Sequence, residues 1–204
     1  MPRSKPELAP QDRLVTLPEG LPKLTLGWEA VKWASKYLRQ PNGPRAGQRF
    51  EFTQSQIRFL LWFYALDESG NWLFRRAVRR LAKGSGKSPF AALIALVELC
   101  APVRLDRFDA DAPGGCVGRP VSMPWVVIAA TTEAQTENTM RMVRAFAPKG
   151  SRVVRDYQLE PGLTQYNKFD GLGGKLHILT GSSSSAEGGE YTFAVGDETA
   201  HWTP

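Results

Sequence analysis

Six consecutive residues, Lys83-Gly84-Ser85-Gly86-Lys87-Ser88, have the composition of a phosphate-binding loop. Phosphates need a concave surface of backbone N–H donors, and Gly84 and Gly86 let the chain turn tightly enough to form one. The apolar run that follows predicts a helix whose N-terminal end adds positive potential. Lys87 would reach the β- and γ-phosphates, and the Ser88 hydroxyl would ligate Mg²⁺. Pro89 falls in the first helical turn, where its missing N–H costs nothing.

Far downstream, Thr192-Phe193-Ala194-Val195-Gly196 reads as an apolar strand, followed by Asp197-Glu198. Ligands of open α/β sheets bind where strands end at their carboxyl side. Asp197 there would hold Mg²⁺ and Glu198 would orient and deprotonate the attacking water. The two elements occupy the Walker A and Walker B roles and together predict hydrolysis of a nucleoside triphosphate. Alone, a Gly-Lys-Ser tripeptide also reads as a surface loop before a capped helix, and an Asp-Glu pair as a solvated turn. The context favours the paired reading. One departure is visible: Leu81 stands where G-x-x-x-x-G-K-[ST] has its first glycine.

These residues need a scaffold. The chain has 204 residues and 42% hydrophobic content, enough for one α/β domain with a core of its own. The net charge of +6 suits a phosphate-bearing partner. Cys100 and Cys116 make neither a disulfide framework nor metal-ligand spacing. The N-terminus has no signal-peptide pattern, and the longest apolar run, residues 89–101, is shorter than the about 20 residues that span a bilayer. A soluble, reducing, intracellular setting is expected.

Residues 1–22, rich in proline and charge, read as a flexible arm. Residues 23–71 read as a helical segment. A first helix is expected over Trp28–Leu38 and a second over Phe52–Leu66, capped by Thr53, with Phe59, Leu60, Phe63 and Leu66 on one face. Residues 72–204 should then be the catalytic core. Its expected strands are Trp72–Leu81, Trp125–Ala130, Val153-Val154, Leu176–Leu179 and Thr192–Gly196. Its expected helices are 88–101 and Ala134–Phe146, with a long loop over 102–122. Alternating strands and helices predict a mostly parallel sheet covered on both faces; with the Lys83–Ser88 and Asp197-Glu198 motifs, the expected fold is a P-loop NTPase of the ASCE/RecA-like kind. Four arginines in the 72–81 strand conflict with a buried parallel strand: either the buried part is short, or some arginines lie at its polar ends near phosphate or DNA, with solvation at a sheet edge the plainer alternative. The Ser/Gly-rich stretch Gly181–Gly189 is expected to be a mobile loop over the site.

From about Phe52 to Trp202 the sequence resembles the large terminase subunit of tailed bacteriophages, the ATP-driven motor that packages DNA into capsids. Terminases often replace the first glycine of the loop and carry a basic residue four positions before the lysine; Lys83 stands there. Gln56-Ile57-Arg58-Phe59-Leu60 is similar to the family's Q-x-x-F-L segment, which makes Gln56 the adenine-reading residue, with Gln54 in reserve. Thr131, Thr132 and Gln135 match the strand-end segment that faces nucleotide or DNA, although helix capping explains the threonines equally well. His201, after the acidic pair, either senses the γ-phosphate or is structural; His177 reads as structural. Arg141, Arg144, Arg152 and Arg155 are the unranked sources of a charge-stabilising arginine from a neighbouring subunit.

The resemblance implies ATP and Mg²⁺ as cofactors, with Glu198, Lys87 and Lys83 catalytic. It implies Gly84, Ser85, Gly86, Lys87, Ser88 and Gln56 at the nucleotide, and Ser88 and Asp197 at the metal. Implied partners are double-stranded DNA, a portal protein, a small terminase subunit and further copies in a ring, in the host cytoplasm and away from membranes. The chain is expected to lack the family's nuclease domain and reads as an N-terminal part of the motor with an incomplete sheet. A helicase-like P-loop NTPase, or a nucleotide-binding module without turnover, are the other readings.

Overall fold

The computed structural model describes residues 17–82, 84–130, 133–171, 173–180 and 189–196. Two helices come first, α1 (Gly27–Tyr37) and α2 (Gln54–Phe63). Thr53 caps α2 through a capping box: its hydroxyl accepts from the Gln56 N–H, and the Gln56 side chain accepts from the Thr53 N–H. At the crossing with α1, a Cβ on Gly27 would lie 2.6 Å from the Leu60 carbonyl oxygen and from Leu61 Cα. Only glycine admits that approach.

Helix α3 (Lys87–Cys100) is the centre of the molecule. Almost all of its side chains from Phe90 onward are buried, so its sequence is apolar all round rather than amphipathic. Glu98, in the middle of this apolar helix, is buried but not alone. It accepts from the Tyr64 hydroxyl at 2.7 Å and pairs with Arg104 at 2.8 Å. Burial and the adjacent Glu98 carboxylate push the Tyr64 phenol well above its ordinary range.

A hairpin follows, β1 (Arg104–Phe108) and β2 (Cys116–Arg119), antiparallel, where a loop over 102–122 was expected. Its turn residues disguise two short strands that hold each other. Next come β3 (Trp125–Ala130), α4 (Glu133–Phe146), α5 (Arg152–Asp156), β4 (Leu159–Pro161), β5 (Gln165–Lys168), β6 (Gly174–Thr180) and β7 (Phe193–Gly196).

The main sheet has the order β4-β5-β6-β3-β7. β6, β3 and β7 are parallel, but β4, β5 and β6 run antiparallel, so the sheet is mixed rather than mostly parallel. The antiparallel strands were missed because β5 (QYNK) has one apolar residue; only Tyr166 and Lys168 turn inward. Val153-Val154 is the buried side of α5, not a strand. Helices α3 and α4 pack against each other and share one core with Val126, Ile128 and Leu176. By strand alternation those residues lie on one face, and Trp125, Val127, Lys175 and His177 on the other. The two helices thus lie together on one face instead of covering both.

The expected strand 72–81 does not form. Leu66 and Trp72 make an isolated bridge, and residues 76–82 have no regular structure. The chain instead runs back along α2: Trp72 meets Tyr64, Phe74 meets Trp62, and Arg79 lies over Phe59. That resolves the conflict of four arginines in a buried strand, because Arg75, Arg76 and Arg80 are exposed.

Candidate functional site

The direction of α3 decides where the phosphate loop lies. Glu98, near the end of α3, accepts from Tyr64, and the neighbouring Phe63 meets Phe193, the first residue of β7. The C-terminus of α3 therefore stands at the amino edge of the parallel strands. Its axis, about 21 Å long, matches a strand of six residues at about 20 Å. The N-terminal turn accordingly points to the carboxyl edge, where Ala130, Thr180 and Gly196 end their strands.

Gly84 and Gly86 have φ of +82° and +80°, the left-handed conformation that favours glycine. Gly86 caps α3 without side-chain help. The loop is closed upon itself. Lys87 Nζ donates to the carbonyl oxygens of Leu81 and Ala82 at 2.9 and 2.8 Å. The Ser85 hydroxyl donates to the same Ala82 oxygen at 2.7 Å. Ser88 is the second residue of α3 and half-buried. First-turn N–H groups have no acceptor within a helix, so the turn is suited to an anion.

The helix that carries Gln56 packs against the helix that follows the loop. Phe59, one turn after Gln56, packs edge-on against Phe90 of the first turn of α3, with ring centroids 5.6 Å apart. It also stacks on Phe63 at 5.9 Å, and Phe63 meets Phe193 of β7 at 6.0 Å. This row of four rings ties α2 to both the phosphate-loop helix and the acidic strand. Phe59 and Phe63 were legible at helical spacing; their partners were not. The Gln56 carbonyl oxygen is engaged in the cap at 2.8 Å, so bidentate contact with a base would have to share that oxygen. Gln54 is exposed.

Arg79, one of the four arginines before the loop, has partners that the sequence did not show. Its guanidinium lies 4.6 Å from the Phe90 ring centroid and donates to Ser55 Oγ at 2.7 Å. It thereby spans the head of α2 and the head of α3, and partial burial lowers its pKa.

Lys83, Thr131, Thr132, Asp197, Glu198 and His201 lie outside the described residues, as does most of Gly181–Gly189. Gly196, the residue before Asp197, ends β7 opposite Ala129. Among the described residues no group of three His, Cys, Asp or Glu side chains could hold a metal. A metal here would depend on Ser88 and Asp197. Gln135 lies in the first turn of α4, half-buried.

Of the four arginines considered, Arg144 bonds Glu137 and the Leu163 carbonyl, Arg152 pairs with Asp156, and Arg155 bonds the Gly150 carbonyl. Arg141 stands exposed on α4. His177 is half-buried and accepts from Trp125 Nε1 at 3.3 Å through Nδ1; burial, then Lys175, lower its pKa. It is a structural histidine on the sheet. Among the described residues no helix is long and apolar enough to cross a membrane.

No family model matches the chain. The Gene 13 protein of Mycobacterium phage L5 is 34% identical over 224 aligned positions, covering 97% of this chain and 37% of that protein. The Gene 13 protein of Mycobacterium phage D29 is 34% identical over 199, covering 89% and 32%. The chain thus spans about a third of the length of these relatives. Among solved structures, it overlays the crystal structure of the HK97 bacteriophage large terminase with a TM-score of 0.63 at 15% identity. That match covers 87% of this chain and 32% of the other. The chain therefore has an α/β fold with a mixed sheet that is shared with part of a phage large terminase.

Proposed function

We propose that the chain is the ATPase part of a phage terminase large subunit, hydrolysing ATP to drive double-stranded DNA into a procapsid. The observation that carries this is the direction of α3, which turns Gly84–Ser88 toward the edge where β7 ends at Gly196, the residue before Asp197-Glu198. The fold shared with the HK97 large terminase supports it.

In this reading the first turn of α3 receives the β- and γ-phosphates, and Lys87 exchanges two backbone carbonyls for phosphate oxygens. Lys83 adds a second positive charge, and Gln56 meets the base. Glu198 orients water in line with the γ-phosphate and takes its proton. Ser88 and Asp197 would hold Mg²⁺, which supplies charge neutralisation at the phosphates. Contacts with DNA would be mainly electrostatic and independent of sequence. A portal protein, a small terminase subunit and further copies in a ring are the proposed partners, in the host cytoplasm.

The test separates binding from turnover. Lys87→Ala should abolish binding of Mg·ATP, while Glu198→Gln should bind it and turn over at least a hundredfold more slowly than an active parent. Hydrolysis by Glu198→Gln at the parent rate would remove Glu198 from its role. Undiminished binding by Lys87→Ala would remove the phosphate loop from the mechanism.

A further inference from the structure

The positive charge of this chain is concentrated in one place. Between Glu68 and Glu98 there is no acidic residue, and the basic residues there are Arg75, Arg76, Arg79, Arg80, Lys83 and Lys87. Those six equal the entire net charge of +6; the rest of the chain balances. A solvated surface usually mixes both signs, and elsewhere this one does: Arg45 pairs with Glu51, Arg107 with Asp106, Arg152 with Asp156. Neither Arg75, Arg79 nor Arg80 joins an ion pair among the described residues.

The segment is exposed yet held. Arg75 and Arg80 are open to solvent, and Val78, between the two arginine pairs, is 65% exposed. Phe74 against Trp62 anchors one end, and Arg79, over Phe90 and bonded to Ser55, anchors the other. An extended run of guanidinium groups is thus laid along α2 and enters the phosphate loop directly. Guanidinium groups match phosphate oxygens bidentately.

We propose that residues 75–80 are a contact surface for the phosphodiester backbone of duplex DNA. Arg75 and Arg80 meet phosphates, and Arg79 is the positioning residue that fixes the segment to α2 and α3. The choice of a duplex among polyanions rests on the motor reading above. The location adds a consequence: a strand gripped by this segment pulls on the same stretch of chain that supplies the Leu81 and Ala82 carbonyls to Lys87.

The experiment measures binding of a random-sequence duplex of about 20 base pairs to the whole chain by fluorescence anisotropy across salt concentrations. The parent is compared with Arg75→Ala/Arg80→Ala and Arg75→Lys/Arg80→Lys, each checked for folding by circular dichroism. Each lost phosphate contact removes about 0.9 from the slope of log K against log salt, so the alanine pair should lower the slope by about 2. The lysine pair should restore most of it. Affinity for a non-hydrolysable Mg·ATP analogue should be unchanged in both. Equal slopes for parent and alanine pair would overturn the proposal. So would loss of nucleotide binding with duplex binding intact, which would assign the arginines to ATP. Poly-glutamate binding more tightly than duplex of equal charge would overturn it in favour of an acidic protein partner. Failure of the parent to bind the analogue would sink the ATPase reading while leaving the salt slope readable.

Discussion

Lys87 and Ser85 converge on the carbonyl oxygen of Ala82. The ammonium of Lys87 donates to the Ala82 carbonyl at 2.8 Å, and the Ser85 hydroxyl donates to that same oxygen at 2.7 Å. The loop that should cradle a polyphosphate is satisfied by its own backbone, and a ligand must offer better acceptors than two neutral carbonyls. Charged phosphate oxygens do, since a full negative charge adds Coulomb attraction to the Lys87 ammonium that a neutral carbonyl lacks.

The conformation of Gly86 should therefore matter independently of Lys87. Its φ of +80° costs a residue with a Cβ about 1–2 kcal/mol, and open space surrounds the site, so no clash adds to this. Gly86→Ala should lower folding stability by about 1–2 kcal/mol where the turn is kept, and weaken binding of Mg·ATP about tenfold where the loop relaxes out of it. Isothermal titration and urea melts would read both; parent-like affinity together with a parent-like midpoint would show that the left-handed turn is dispensable.

The buried Glu98 should be a sensitive point of stability. Its carboxylate is 2% exposed and is met by Arg104 and Tyr64. Removing one partner of a buried pair costs about 3–5 kcal/mol, whereas losing one hydrogen bond to a buried acceptor costs about 1–3 kcal/mol. Arg104→Ala should thus destabilise more than Tyr64→Phe in urea unfolding. The reverse order would mean that the Arg104–Glu98 pair contributes little net stability.

Stability should fall at both ends of the pH range. His177 accepts the Trp125 indole N–H, and protonation would put a proton on that same nitrogen. Its folded pKa lies below the ordinary value, so this stabilisation is present above pH about 6.5 and is lost as pH falls through the depressed pKa. At the alkaline end, burial raises Tyr166 to about 12, and its hydroxyl donates to the Ala147 carbonyl. Stability held below pH about 10 is then lost as pH rises toward 12. Urea midpoints against pH should flatten on the acid side in His177→Gln and on the alkaline side in Tyr166→Phe. Unflattened profiles would assign the pH dependence to other groups.

Gly27 tests the close crossing of α1 and α2. A Cβ there would sit 2.6 Å from backbone atoms that cannot rotate away, so Gly27→Ala should cost about 1–3 kcal/mol by forcing the helices apart. A midpoint equal to the parent would mean that α1 and α2 can separate without loss.

Signals carried by neighbouring residues were readable without coordinates. The Thr53 cap with Gln56 three residues on, the apolar helix behind Lys87, the run Trp125–Ala130 and the strand ending at Gly196 all rest on local pattern. The turn at Gly84–Gly86 and the start of α3 were legible because positive φ and a helix N-terminus have a direct residue signature. Tertiary structure decided what depends on distant partners. Arg75 to Leu81 had enough apolar residues to suggest a strand, but its arginines and the absence of a ladder partner leave it laid along α2. Val153-Val154 has the same two side chains in a strand or a helix, and packing selected the helix. Gln165–Lys168 shows almost no hydrophobic signal and became a strand because β6 offered an edge. Strand pairing and helix direction are set by contacts between segments far apart in the chain, and no local pattern encodes those.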